Sequence, residues 1–160
     1  MSDQDSPPIV EIPEAALRDI FEHARAEFPN ECCGYLIGSG SDLEVRRCKN
    51  RQDQLHALDP EAHPRTAANA YNIGGRELLD LVRSFEGERP ATVIYHSHPR
   101  VGAYFSAEDE RAALAAGYPV AYLVIDAQEG EIREALLFRR GADGGEAAYG
   151  VVARFPGAAI

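Results

Sequence analysis

Apolar positions in this chain follow two periods, one helical and one extended. Ala16, Leu17, Ile20, Phe21, Ala24 and Phe28 recur at helical spacing, and Pro13 suits the first position of that helix. Pro29-Asn30 ends it by turn chemistry. Glu31 to Gly38 is a nearly continuous apolar run and predicts a buried strand with Glu31 at its mouth. Leu43 to Cys48 alternates and predicts a hairpin partner across Ser39 to Asp42. Ile9 to Ile12 predicts a short strand upstream of the first helix. Leu78, Leu81, Val82 and Phe85 share one side of a second helix, Arg76 to Phe85. Thr92 to His98 predicts a core strand and Ser106 to Ala116 a third helix. Val120 to Ile125 predicts another buried strand, with Ile132 to Phe138 returning across the Glu129-Gly130 turn. Strands joined by both helices and hairpins imply an α/β fold with a mixed sheet and helices against it.

Lys49 to Ala70 has the weakest pattern. It is polar, contains Pro60 and Pro64, and carries His56 and His63. A connection this long without a periodic signal predicts a functional flap, with both histidines exposed on it. Residues 1–8 are polar and acidic and predict a disordered tail. The expected organisation is that tail, one domain over residues 9–140, and a Gly/Ala-rich extension over 141–160. The apolar patch Tyr149 to Phe155 leaves open whether that extension packs.

The 160 residues carry a formal net charge of −10, and 45 % are apolar. That suits one soluble core. Basic residues form only short pairs such as Arg46-Arg47 and Arg139-Arg140, which argues against nucleic acid and anionic membrane as partners. No apolar run reaches the roughly 20 residues that span a bilayer. The N-terminus lacks the pattern of a signal peptide, so a cytoplasmic protein is expected. The three cysteines, Cys32, Cys33 and Cys48, are an odd number without C-x-x-C and read as buried packing residues. Cys32 and Cys33 should face opposite sides of their strand.

The chemistry concentrates in Tyr95-His96-Ser97-His98-Pro99 and in Ser106 and Asp109 downstream. Residues i and i+2 of a strand share a face, so both imidazoles converge. Two buried, adjacent imidazoles repel if charged, and a metal resolves that conflict. With Asp109 they make a donor set suited to a catalytic zinc with one open position. A competing reading exists for Asp109. Ser-x-x-Asp before a helix resembles a capping box, which would use the same carboxylate. For Asp109 to reach a metal, the loop Pro99 to Phe105 must fold back, and Gly102 would allow that turn. His-Glu-x-x-His is absent, so a base must come from elsewhere. Glu31 is the best placed candidate, with a solvated loop carboxylate as the alternative.

His96-x-His98, seven residues, Ser106, two residues and Asp109 resemble the complete motif of the JAMM (MPN-plus) zinc metallopeptidases. Pro29 to Gly38 resembles the early Glu-bearing strand of small prokaryotic members. The likeness runs from about Glu14 to Phe138. It implies an MPN/JAMM-like, cytidine-deaminase-like fold: a mixed, curved sheet flanked by helices. It implies that His96, His98 and Asp109 bind Zn²⁺, that Glu31 is the general base acting on the zinc water, and that Ser106 helps hold the oxyanion. It also implies that the polar stretch from Lys49 to Tyr71 helps hold a substrate tail.

The same resemblance implies a partner: a ubiquitin-like protein with a Gly-Gly C-terminus. The favoured expectation is a peptidase acting on a ubiquitin-like sulfur carrier. The alternatives are an isopeptidase that frees a ubiquitin-like modifier from lysine, and a non-catalytic module that reads such tails. A RadC-like assignment ranks lower, because Ser97 stands where that branch usually has Asn.

Overall fold

The computed structural model describes residues 11–141 and 149–159. Helix α1, Glu14–Glu27, begins after Pro13, which sits just outside the helix rather than in its first turn. It buries Ala16, Ile20, Phe21 and Ala24, the stripe expected from the sequence, and also His23. Strands β1 (Cys33–Ile37) and β2 (Glu44–Cys48) form the expected antiparallel hairpin. The short helix α2, Gln52–Leu58, follows inside the segment expected to be structureless. Then come α3 (Gly75–Ser84), β3 (Ala91–Pro99), α4 (Ala107–Ala116), β4 (Ala121–Gln128) and β5 (Glu131–Arg140).

The sheet order is β2-β1-β3-β4-β5-β6. Every neighbouring pair is antiparallel except β3 and β4, which are parallel and joined through α4. The sheet is therefore mixed, as the alternation of hairpins and helices required. Its last strand, β6 (Tyr149–Ala159), pairs along the length of β5, so the C-terminal apolar patch forms an edge of the sheet. The tail expected over residues 1–8, and Ile9-Val10 of the strand expected upstream, lie outside the described residues. Glu11 and Ile12 are not in a strand.

The pleat sorts side chains onto two faces. Cys32, Leu36, Val93, Tyr95, Leu123, Ile125 and Leu137 pack with the α1 stripe. Cys33, Tyr35, Ile94, Val120 and Tyr122 pack on the other face with Leu81 and Ala113, from α3 and α4. Cys32 and Cys33 thus point to opposite faces, as the alternation demands. Each fully buried Leu or Ile contributes about 1.5–3 kcal/mol relative to exposure. The two faces together hold β3 rigidly in the middle of the sheet, and the chemistry sits at its C-terminal end.

Candidate metal centre

His96 and His98 close β3 on the face covered by α3 and α4. Both are buried. Ser97, between them, points the opposite way. Its hydroxyl accepts the Cys32 N–H at 2.8 Å, while its own N–H donates to the Cys32 carbonyl at 3.2 Å. This extends the β1–β3 ladder one step past the Cys33–His96 pair and draws Glu31 alongside the histidines.

The chain then turns back. Gly102 adopts φ 95°, a conformation that strains side-chain-bearing residues. Its carbonyl lies 3.0 Å from His98 Nδ1. A neutral His98 that donates there keeps the lone pair of Nε2 facing inward. Tyr71 stacks on His96 with centroids 4.4 Å apart, and Tyr104 meets the His98 ring edge-on at 4.9 Å. Both rings hold the imidazole planes in place.

The returning loop brings Asp109 into contact. Its Oδ2 lies 3.1 Å from His96 Nε2 and 3.1 Å from His98 Nε2, and the two Nε2 atoms are themselves 3.1 Å apart. The capping box also exists. Ser106 Oγ accepts the Asp109 N–H at 3.0 Å, and Asp109 Oδ2 accepts the Ser106 N–H at 3.1 Å. The two readings of Asp109 do not compete, because one oxygen serves the helix start and faces both histidines.

Glu31 completes the group. Ligand atoms from Glu31, His96 and His98 all lie within 4.8 Å of one another. Its backbone is fixed at both ends: its N–H donates to the Ala67 carbonyl at 2.7 Å, and its carbonyl accepts from Asn50 Nδ2 at 2.9 Å. Its Oε1 is buried without a hydrogen-bond partner.

The electrostatics follow from burial. Burial pushes the Glu31 carboxyl up to about 8, against the opposing pull of His98 and Arg65. Burial also works to raise Asp109, but the two imidazoles outweigh it and hold that carboxyl well below the usual carboxylate range. Burial lowers His96. For His98 burial pulls down as well, but the Asp109 hydrogen bond and the Glu31 charge carry the balance upward.

This donor set fits a small divalent cation. Ligands 2.0–2.1 Å from a tetrahedral zinc are about 3.3 Å apart, close to the 3.1 Å edges of the triangle. Two lone-pair nitrogens and a carboxylate oxygen crowd one point with few protons to share, and a buried carboxylate oxygen beside them lacks a partner. A cation held by the two nitrogens and the Asp109 oxygen would relieve that crowding and leave the Glu31 oxygen facing it.

The group opens onto a cleft of about 830 Å³, with walls from the segment after α2, the 99–105 loop and α4. Ser106, Asp109, Glu31 and His98 line it. So does His63, which is half-buried and accepts at its backbone carbonyl from His56 Nδ1 at 2.8 Å. The structure therefore gathers the five residues singled out from the sequence into one place. The sequence reading missed Ser97, Tyr71, Tyr104 and Asn50. A serine between two strand-end histidines was a visible signal for the first. The others carry no periodic signature.

A family profile described as prokaryotic homologs of the JAB domain matches residues 13–138. Proteins called CysO-cysteine peptidase, from Mycobacterium tuberculosis and Mycobacterium bovis, are 32% identical over 93 residues. The matched region is 57% of this chain and 56% of each relative, so the chain spans little more than half the length of these curated relatives. A solution structure of a Desulfitobacterium hafniense protein aligns with TM-score 0.62 and 24% identity, over 90% of both chains. One from Salinibacter ruber aligns with TM-score 0.52 and 17% identity, over 91% of this chain and 89% of the other. At those identities the two structures speak to the fold alone.

Proposed function

The chain belongs to the prokaryotic JAB-domain family, and on that premise we propose that it is a zinc-dependent peptidase. It hydrolyses the amide bond after the Gly-Gly tail of a ubiquitin-like sulfur-carrier protein. The observation that carries the chemistry is the 3.1 Å triangle of His96, His98 and Asp109 beside the unpartnered Oε1 of Glu31. The substrate class is supported by the similarity to the CysO-cysteine peptidases.

His96 Nε2, His98 Nε2 and Asp109 Oδ2 would hold the zinc. Bound there, zinc supplies a Lewis acid that polarises the scissile carbonyl and lowers the pKa of water toward neutrality. Glu31 Oε1 takes the proton of the attacking water and delivers it to the leaving amine. Ser106 Oγ already accepts from the Asp109 N–H, so its own hydrogen is free to donate to the developing oxyanion. The cleft admits the extended tail. No described helix is long and apolar enough to cross a membrane, and we place the activity in the cytoplasm, where such carriers would meet it.

The test is direct. Zinc-loaded protein is incubated with ubiquitin-like carriers bearing different residues after Gly-Gly, and with one lysine-linked conjugate, and the products are weighed by mass spectrometry. Cleavage after Gly-Gly of the linear carriers is expected. Cleavage of the lysine conjugate alone would replace the reading with an isopeptidase. Binding without cleavage of either would leave a tail-reading module.

A further inference from the structure

We propose that Arg65 reads the free α-carboxylate of the residue released from the tail, which makes the cleft selective for carriers ending in one free amino acid. The proposal deepens the peptidase reading above and rests on it for the identity of the bond cut.

Three observations carry it. The first is charge. The cleft belongs to a strongly acidic chain, with a formal net charge of −10. An anionic group entering there is repelled unless a cation meets it. Two arginines line the cleft. Arg111 is held by Glu108 on its own helix. Arg65 has no carboxylate partner among the described residues, and its side chain donates from Nη1 to the Asn69 carbonyl at 3.2 Å.

The second is position. Arg65 rides a segment fastened to the catalytic carboxylate. Ala67, two residues on, accepts the Glu31 N–H through its carbonyl at 2.7 Å and donates its own N–H to Asp53 Oδ1 at 2.7 Å. The Arg65 carbonyl accepts from Gln52 Nε2 at 3.0 Å. The guanidinium is also near enough to counter part of the upward push on Glu31.

The third is the chemistry of the leaving group. Hydrolysis breaks the bond between the last glycine carbonyl carbon and the next nitrogen. Water supplies hydroxyl to the carbon and a proton to the nitrogen, which leaves a glycine carboxylate and a free amine. When the released unit is a single amino acid, its α-carboxylate sits on the carbon next to the scissile nitrogen. A lysine side chain in a conjugate has no anion there. A guanidinium carried on a backbone fastened to Glu31 therefore distinguishes the two, and its planar fork suits a carboxylate.

The experiment uses a fluorescent decapeptide ending Gly-Gly-Ala, prepared as the free acid and as the carboxamide. Binding is followed by anisotropy on the full zinc-loaded chain carrying E31Q, so that bound peptide is not turned over. The acid is expected to bind about 10-fold tighter than the amide. That preference should vanish in E31Q/R65Q and return in part in E31Q/R65K. Arg65 is exposed, so the fold does not depend on it. Equal binding of acid and amide to E31Q, or a preference that survives R65Q, overturns the proposal. Hydrolysis of the free acid by the chain with Glu31 intact is read separately, and its absence counts against the peptidase reading alone.

Discussion

Asn50 donates its side-chain amide to the Glu31 carbonyl at 2.9 Å and to the Ala70 carbonyl at 3.0 Å. Its Oδ1 accepts the N–H groups of Gln52 at 3.0 Å and Asn72 at 3.1 Å. One carboxamide thus uses both donors and both acceptor positions to tie the entrance of β1 to the two ends of the intervening segment. It explains how a stretch without hydrophobic periodicity keeps one conformation beside the site.

Replacing Asn50 by Ala strands two carbonyls and two N–H groups at once. N50A should cost about 2–4 kcal/mol in urea unfolding. It should also lower turnover while leaving metal content unchanged, since no ligand atom is removed. Wild-type stability in N50A would show that the segment is held by other contacts.

The ligand assignment predicts about one zinc per chain in the wild type, read by elemental analysis after dialysis. H96A, H98A and D109A should each fall below about a tenth of that. D109A also removes half of the capping box, so it should lose about 1 kcal/mol more than metal loss explains. S106A loses the other half of the box, with a similar cost, and should keep its metal. Chelation should lower the wild-type melting temperature and leave that of H98A unmoved.

Glu31 is assigned to proton transfer and not to holding the ion. E31Q should therefore retain zinc and bind carrier, with turnover reduced at least about 100-fold. Full activity in E31Q would place the base elsewhere in the cleft.

The pH dependence of stability has a contributor far from the candidate metal centre. His23 is buried in α1, with Nδ1 2.7 Å from the Tyr95 hydroxyl. Burial lowers its pKa from 6.5 to about 4, Arg47 adds to the shift, and Asp19 opposes it. Glu27 lies 3.9 Å from its other nitrogen. The unfolded chain binds the proton first on acidification, so this stability is present above about pH 6.5 and is lost as pH falls toward about 4. Between pH 7.5 and 4.5, wild type should lose about 2–3 kcal/mol more than H23Q in urea unfolding at fixed metal content. Parallel curves for the two proteins would count against this role.

Most of the architecture was legible from local pattern. The α1 stripe, the β1–β2 and β4–β5 hairpins, β3 and the α4 start all follow from periods of 3.6 and 2 with their turn residues. The same local logic placed His96 and His98 on one face. Elsewhere local pattern was silent. Helix α2 has too few apolar positions to show a period, and its residues are held by polar contacts instead: Gln52 to the Arg65 carbonyl, and Asp53 to the Ala67 N–H. Strand β6 is an edge, half exposed, with glycines that weaken alternation. His23 gave no sequence signal of burial, because its partner Tyr95 lies 72 positions later.

By itself the sequence determined that His96 and His98 share a face and that Ser106 and Asp109 open a helix, because a strand's alternation and a helix's capping act over a few residues. It could not determine that Asp109 Oδ2 serves both the cap and the two imidazoles, since that depends on the fold-back at Gly102. Nor could it place Glu31 beside histidines 65 and 67 positions away, a proximity made by the Ser97–Cys32 bond and the Asn50 clamp. Hydrogen bonds between distant segments form only where the packed sheet has already brought their backbones together, and that packing belongs to the tertiary structure.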